Sequence, residues 1–398
     1  MANISERIKS LSESQTIAMS QKSAELKAEG KDIINLSVGQ PDFHTPEHVK
    51  DAAIKAIKNN YTSYPPVPGY KDLKEAIATK LKEENQLDYQ PEQIVVSAGA
   101  KHSLANAMLS VVNKGDEVIV PAPYWVSYVE QVKLAEGKNV VLKTTLENQF
   151  KITPEQLKEA ITPKTKAIML CSPSNPTGSI YSKKELKEIA DIIANSKHKI
   201  YILSDEIYEY INFEGKHESI AQFDNVKDQV ILINGVSKGY AMTGWRIGYM
   251  AASKDVAKAC GKLQGQVTSG ACSIAQRAAL SAIAGSKDFT KEMNQAFKKR
   301  RDLVLEGVSQ IKGMEEYTPQ GAFYLFPKIN HFFGKSNGKW KINNDQDLCF
   351  YLLEEANVAL VPGSAFGSDE NIRLSYAASE DELKEALKRI KAALDKLS

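Results

Sequence analysis

The chain has 398 residues, 42% of them hydrophobic and 25% charged, so it can build a sizeable core under a charged surface. At about 150 residues per domain, the length fits two to three domains. Fifty-one Lys and Arg against 49 Asp and Glu leave a net charge of +2, which excludes the broad basic surplus of a polyanion binder and leaves room only for a local basic site.

In chain order, the stretch from Met1 to Ser20 carries Arg7 and Lys9 but no continuous apolar run, so no signal peptide is expected. Thr45-Pro46-Glu47 predicts a helix start, with Thr45 as N-cap and proline at the first helical position, running through about Lys58. Strands are predicted at 93–97, 117–121, 139–143, 167–171, 200–204, 230–234 and 246–251. Several are continuous Val/Ile/Leu runs, as strands buried on both faces require. Helical patterns lie between many of them, for example 183–195 behind a Ser182 cap. Such alternation predicts an α/β fold with a mostly parallel, seven-stranded sheet. A basic amphipathic helix at 295–312 leads to short strands at 322–326, 358–361 and 371–374, mixed with helices at 345–355 and 380–396. These read as a smaller α+β domain. The expected division is a large domain over 48–295 and a small, discontinuous one from 1–47 and 296–398. No stretch approaches the roughly 18 apolar residues of a membrane span. Cys171, Cys260, Cys272 and Cys349 stand far apart without a C-x-x-C pair, which fits isolated thiols in a reducing cytoplasm rather than a disulfide or zinc framework.

Ligands of open parallel sheets bind beyond the strand carboxyl ends, so the residues there are the candidates. Gly99, Ala100 and Lys101 follow the first predicted strand and open a helix, a turn that suits a phosphate. Tyr124-Trp125 follows the second. Ser172-Pro173-Ser174-Asn175-Pro176-Thr177-Gly178 follows another, then Asp205-Glu206-Ile207-Tyr208, then Ser237-Lys238, with Arg246 eight residues on. Each has a bland explanation alone: a core ring, a helix cap, a solvated amine. Independent accidents would not all fall at one sheet edge. A lysine can form a Schiff base with a carbonyl cofactor, and a carboxylate can keep a pyridine nitrogen protonated. A phenol and an amide can bond a ring hydroxyl, an indole can stack, and arginine with a helix N-terminus can hold a phosphate. Those are the requirements of pyridoxal 5′-phosphate.

At these residues the chain resembles the class I, fold-type I pyridoxal-phosphate aminotransferases, and among them the bacterial aspartate aminotransferases. The likeness runs end to end, through Val38-Gly39-Gln40-Pro41-Asp42-Phe43, Tyr64-x-x-x-x-Gly69, Pro123-Tyr124-Trp125, Ser172-x-x-Asn175-Pro176-Thr177-Gly178, Ser204-Asp205-Glu206-Ile207-Tyr208, Ser237-Lys238, Gly244-Trp245-Arg246-Ile247-Gly248 and Asn371-Ile372-Arg373-Leu374-Ser375. The resemblance implies that Lys238 carries the cofactor as an aldimine and then moves the proton. It implies that Asp205 pairs with the ring nitrogen, Asn175 and Tyr208 contact the ring oxygen, and Trp125 stacks on the ring. Gly99, Ala100 and Arg246 would hold the phosphate beside Ser237, and Tyr64 would reach it from the partner of a homodimer. Arg373 would bind the substrate α-carboxylate in a two-pronged pair, with Gly39 giving that carboxylate room. A cis Asn175-Pro176 bond is also implied. The chain departs at Gly235, where many relatives carry a phosphate-binding serine.

The substrates implied are amino acids and 2-oxo acids. In the branch resembled here, a lysine at the position of Lys101 helps bind the distal carboxylate, and Thr16 closes over the substrate. Arginine is absent from 265–276, where another branch places its own distal cation. The expected activity is therefore aspartate:2-oxoglutarate transamination by a ping-pong route. The alternatives are an aromatic or broad-range aminotransferase, including one using prephenate, and a β-lyase. Prephenate-accepting relatives tend to carry a basic residue where this chain has Ser12. Other classes find little support. No G-x-G-x-x-G follows a strand, and Gly334-Lys335-Ser336 lacks a P-loop's earlier glycine because position 329 is Ile329. His44 precedes the predicted cap, so it would not share a helix face with His48, and no metal is expected.

Overall fold

The structure is a computed structural model that describes residues 4–12 and 15–398, with the side chains of 15–18 outside the description. The strands in chain order are β1 (Ile34–Asn35), β2 (Ile94–Ser97), β3 (Glu117–Ala122), β4 (Lys138–Lys143), β5 (Thr165–Cys171), β6 (Tyr201–Asp205), β7 (Val230–Gly235) and β8 (Gly248–Ala251). They are followed by β9 (Tyr324–Leu325), β10 (Val358–Ala359), β11 (Val361–Pro362) and β12 (Ile372–Ser375). A seven-stranded sheet has the order β2-β8-β7-β6-β5-β3-β4, with β8 antiparallel to both neighbours and the other pairs parallel. The chain is α/β, and the predicted sheet is the one observed.

Apolar side chains cover both faces of that sheet, which is why its strands read as unbroken hydrophobic runs. Along β2, Ile94 and Val96 enter one buried cluster while Val95 enters the other. A third cluster joins residues from Met19 to Leu36 with residues from Met293 to Leu397, so both chain ends meet in one core. Tyr208, Ile211 and Phe213, from the segment after β6, also enter it. Here β1 pairs in parallel with β10, and β12 lies between β11 and β9.

Local chemistry explains most boundaries. Ser182 accepts the Glu185 amide and Glu185 caps back, opening the helix Lys183–Ala194. The helix Glu47–Lys58 corrects one expectation: its N-cap is Pro46, with no side-chain cap. Thr45 instead donates to the Ala241 carbonyl at 2.7 Å and accepts from the Trp245 indole at 3.0 Å. The last predicted strand of the large sheet begins at Gly248 rather than 246, because Arg246 lies in the left-handed region at φ 56°. The run 358–361 divides into β10 and β11, which join different sheets. The strand predicted at 322–326 is limited to Tyr324–Leu325, and the basic helix spans Asp288–Ser309.

The topology places the site. From β3 the chain steps to β4 on one side and returns through β5 to the other, so the order reverses between β3 and β5. Because β8 runs antiparallel, its start meets the ends of its neighbours: Gly248 pairs with both Ser97 and Gly235. The turn preceding β8 therefore shares an edge with the segments following β2, β3, β5, β6 and β7. Among the described residues, no helix is long and apolar enough to cross a membrane, and no group of three or more His, Cys, Asp or Glu could hold a metal ion.

Candidate active site

At that edge lies a cavity of about 290 Å³. Its lining includes Gly39, Ala100, Lys101, Trp125, Asn175, Asp205, Tyr208, Ser237, Lys238, Arg246 and Arg373. Three residues expected at the site are not among those lining it: Gly99 lies against the Arg246 guanidinium, Tyr64, expected to serve a partner's site, is 92% exposed, and the Thr16 side chain lies outside the described residues.

Lys238 donates its Nζ to the Gly39 carbonyl at 2.6 Å. Burial, then the positive charges of Arg373, Arg246 and Lys101, brings the amine down from 10.5 to about 8, against the opposing pull of Asp205. Asp205, 3% exposed at the end of β6, accepts the Tyr128 hydroxyl on Oδ2 at 2.7 Å and the Ile207 amide on Oδ1 at 3.2 Å. Burial raises its carboxyl from 3.8 to about 6, although the Tyr128 bond favours the charged form.

Arg373 is 2% exposed and lies over the rings of Tyr324 and Phe366, 4.5 and 4.9 Å from their centroids. Nη1 donates to the Asn175 side-chain oxygen at 2.9 Å and Nη2 to the Ser37 carbonyl at 2.6 Å. A guanidinium has five N–H donors, and its buried Nε has no partner, so capacity remains for a planar anion. A side chain at Gly39 would come within 2.8 Å of the Tyr324 hydroxyl, so glycine keeps this approach open. That hydroxyl also shares a 2.8 Å hydrogen bond with Tyr208.

The anion end is built from backbone. Gly99 sits at φ +88° before the helix Ala100–Val111, and a Cβ there would lie 2.1 Å from Nη2 of Arg246. Its own amide donates to the Ser97 carbonyl at 2.7 Å, so Gly99 contributes by lacking a side chain while the amides of the first helical turn supply the donors. Ser237 lines the same space. Gly235, where a serine was the family expectation, faces the backbone of Gly248 and Ile247: an added Cβ would lie 2.8 Å from each. Lys101 stands at the mouth with Nζ 4.8 Å from the centre of the Trp125 ring, and desolvation followed by the Arg246 charge holds its amine below its ordinary value. The Asn175-Pro176 bond is cis, as are Ala122-Pro123 and Ser172-Pro173.

Two side chains at the site escaped the sequence reading. Tyr128 stands three residues beyond Trp125, in the first turn of the helix Ser127–Leu134, a position that places it near the same strand end. Tyr324 comes from β9, and nothing local in the sequence announces it. The set as a whole fits a phosphorylated pyridine aldehyde. It offers a cationic cradle without a Cβ, a carboxylate deep in the pocket, a lowered amine and an arginine with buried donors to spare.

Residues 31–390 match the family described as aminotransferase class I and II. The aspartate aminotransferase of Geobacillus stearothermophilus is 48% identical over 389 residues, spanning 97% of this chain and 98% of that protein. A Rickettsia bellii protein described as a probable aspartate/prephenate aminotransferase is also 48% identical, over 400 residues and 100% of both chains. Among solved structures, the aspartate aminotransferase of Rhizobium meliloti superposes with a TM-score of 0.96 at 44% identity, covering 100% of both chains. That of Thermus thermophilus with maleate gives 0.93 at 39% identity, over 99% of this chain and 100% of that one.

Proposed function

This chain belongs to the class I and II aminotransferases, and from that premise we propose that it is a pyridoxal-phosphate-dependent aspartate:2-oxoglutarate aminotransferase. The observation that carries the substrate reading is a pair of unlike cations in one cavity: Arg373 buried between two rings, and Lys101 at the mouth over Trp125. A dicarboxylate has an anionic group for each. Solved relatives named as aspartate aminotransferases, one of them with the dicarboxylate maleate, support it.

When bound, pyridoxal 5′-phosphate supplies a carbonyl and an electron-withdrawing ring on which an amino group can be exchanged. In this reading Arg246, the first-turn amides at Ala100 and Lys101, and Ser237 hold its phosphate. Asp205 meets the ring nitrogen, Asn175 and Tyr208 the ring hydroxyl, and Trp125 the ring face. Arg373 orients the substrate α-carboxylate with a planar fork that lysine could not reproduce. Lys238, with an amine brought down to about 8, takes the substrate α-proton at Nζ and returns it two atoms along, across the intervening nitrogen, in a 1,3-shift.

The division into 48–295 and a discontinuous unit of 1–47 with 296–398 is part of the proposal, as is a cytoplasmic homodimer in which Tyr64 serves the neighbouring site. Its 92% exposure suits that role, and Ile54, Ile57 and Val267 on adjoining segments are 49%, 55% and 64% exposed. The test is a panel of amino donors with 2-oxoglutarate, run on the parent and on Lys101→Ala. The expected result is that aspartate leads, and that Lys101→Ala lowers its kcat/KM by at least tenfold while phenylalanine is little affected. An equal loss for both removes Lys101 from specificity, and a lead for phenylalanine replaces the aspartate assignment. Prephenate belongs in the panel as an acceptor because of the Rickettsia bellii relative, although position 12 carries Ser12, whose amide donates to Glu130 at 2.9 Å.

A further inference from the structure

The cavity residues expected to meet the cofactor share one neighbour that has no part in the scheme above. Tyr128 is 2% exposed, and its hydroxyl donates to Oδ2 of Asp205 at 2.7 Å. Its ring meets that of Trp125 edge to face, with centroids 5.4 Å apart and planes at 86°. The two groups it touches are the carboxylate expected at the edge of the cofactor ring and the indole expected on its face. We propose that Tyr128 is a positioning residue that fixes the Asp205 carboxylate and the Trp125 indole relative to one another, so that the ring enters a slot with both walls already set. The assignment rests on the pyridoxal-phosphate reading.

The physical case begins with the carboxylate. Asp205 ends β6, and rotation of its side chain would carry both oxygens away from the ring nitrogen. One donor leaves that rotation free, but two donors on different oxygens lock the plane. The Ile207 amide holds Oδ1 and Tyr128 holds Oδ2. Each carboxylate oxygen can accept more than one hydrogen bond, so a ring N–H still finds a lone pair whose direction is set. The phenol is suited to the task, since burial and then the Asp205 charge keep it protonated far above ordinary pH, so its O–H remains available to donate to the carboxylate. The ring does separate work. Edge-to-face contact fixes the tilt of Trp125, whose own ring lies below the Lys101 amine. Removing the hydroxyl but not the ring therefore separates the two tasks.

The charge state of Asp205 supplies a readout that simple packing would not move. The titratable groups around its carboxyl are Tyr128 itself, Cys171 at the end of β5, Glu206 beside it in the chain, and Lys238 across the cavity. Cations further along the lining are Lys101, Arg246 and Arg373. Of the near groups, Glu206 disfavours the carboxylate, whereas Tyr128 and Lys238 favour it. Losing the Tyr128 hydroxyl moves the carboxyl to a higher pH. Binding of a ring that carries a proton on its nitrogen then fails at a higher pH as acid is added.

The experiment measures the pyridoxal-phosphate dissociation constant of the apoenzyme across pH 5 to 8.5 by visible absorbance. It compares the parent, Tyr128→Phe, Asp205→Asn and the double variant, with thermal melts and near-ultraviolet dichroism of each apo form as folding controls. Tyr128→Phe is expected to weaken binding about tenfold at neutral pH, the scale of a hydrogen bond to a charged group. Its acid limb should also lie at higher pH than the parent's. In the Asp205→Asn background the same substitution should change binding less than twofold. A parent without a cofactor band overturns the cofactor reading and this assignment with it. A parent that binds, beside a Tyr128→Phe variant with unchanged affinity or an unchanged pH profile, overturns the positioning role alone. A full tenfold effect in the Asp205→Asn background does so too, because the hydroxyl would then act through something other than Asp205.

Discussion

Lys238 shows what a few ångströms of context do to one residue type. A solvated lysine is protonated until about pH 10.5, but burial and three neighbouring cations bring this amine to about 8. Only the free base is nucleophilic, so the site prepares the amine within reach of neutral pH. The rate of pyridoxal-phosphate uptake by the apoenzyme should rise with pH and level off above about 8, as followed by stopped-flow absorbance. A rate still climbing at pH 10 would mean that the amine keeps its ordinary value. The linkage has a definite sign. Between pH 8 and 10.5 the unfolded chain holds this proton and the folded apoprotein does not, so through this group the apoprotein gains stability as pH rises over that window. Much of the site was legible at this scale, because residues after consecutive strands must share an edge in a parallel sheet. The partners were not. The Ser37 carbonyl at Arg373 and the Tyr324 hydroxyl at Tyr208 arrive from distant parts of the chain, with no spacing that reveals them.

At the scale of elements, the anion site depends on how closely β8 passes the start of the helix Ala100–Val111. A Cβ added at Gly248 would lie 2.2 Å from the Ala100 nitrogen and 2.5 Å from the Gly99 carbonyl carbon, both backbone atoms that cannot swing aside. Gly248→Ala must push the helix start away from Arg246. A strain of roughly 1–3 kcal/mol is expected, with a lower Tm and cofactor affinity reduced at least tenfold. An unchanged dissociation constant would show that the cradle tolerates the displacement. Element boundaries were readable where local chemistry decides them, as at Ser182 with Glu185, and where burial on both faces gives an unbroken apolar run. They were not readable where a partner decides them. The run 358–361 is uniformly apolar, yet Val358–Ala359 pairs with β1 and Val361–Pro362 with β12. Thr45 had the look of a cap, but tertiary bonds to Ala241 and Trp245 claim its hydroxyl.

At the scale of the whole molecule, the single chain leaves Tyr64 on the surface while its cavity offers a cationic cradle that Tyr64 does not reach. Three large apolar side chains on neighbouring segments are exposed as well. Ile54 and Ile57 lie on the helix Glu47–Lys58, which packs against the helix Ser273–Ala284, and Val267 ends the helix Lys254–Val267, whose Gly265 faces Val67. A second copy would cover these side chains and could bring its Tyr64 to the cradle, whereas a monomer would leave them in water. Hybrid dimers decide between the two. Lys238→Ala subunits lack the amine, and Tyr64→Ala subunits lack the phenol. If Tyr64 acts across the interface, a purified hybrid has one site missing both groups and one site complete, made of Lys238 from one subunit and Tyr64 from the other. It should then show about half the parent activity per dimer, with one tightly held cofactor. If Tyr64 acts within its own chain, the hybrid has no complete site, and its activity stays at or below that of the Tyr64→Ala homodimer.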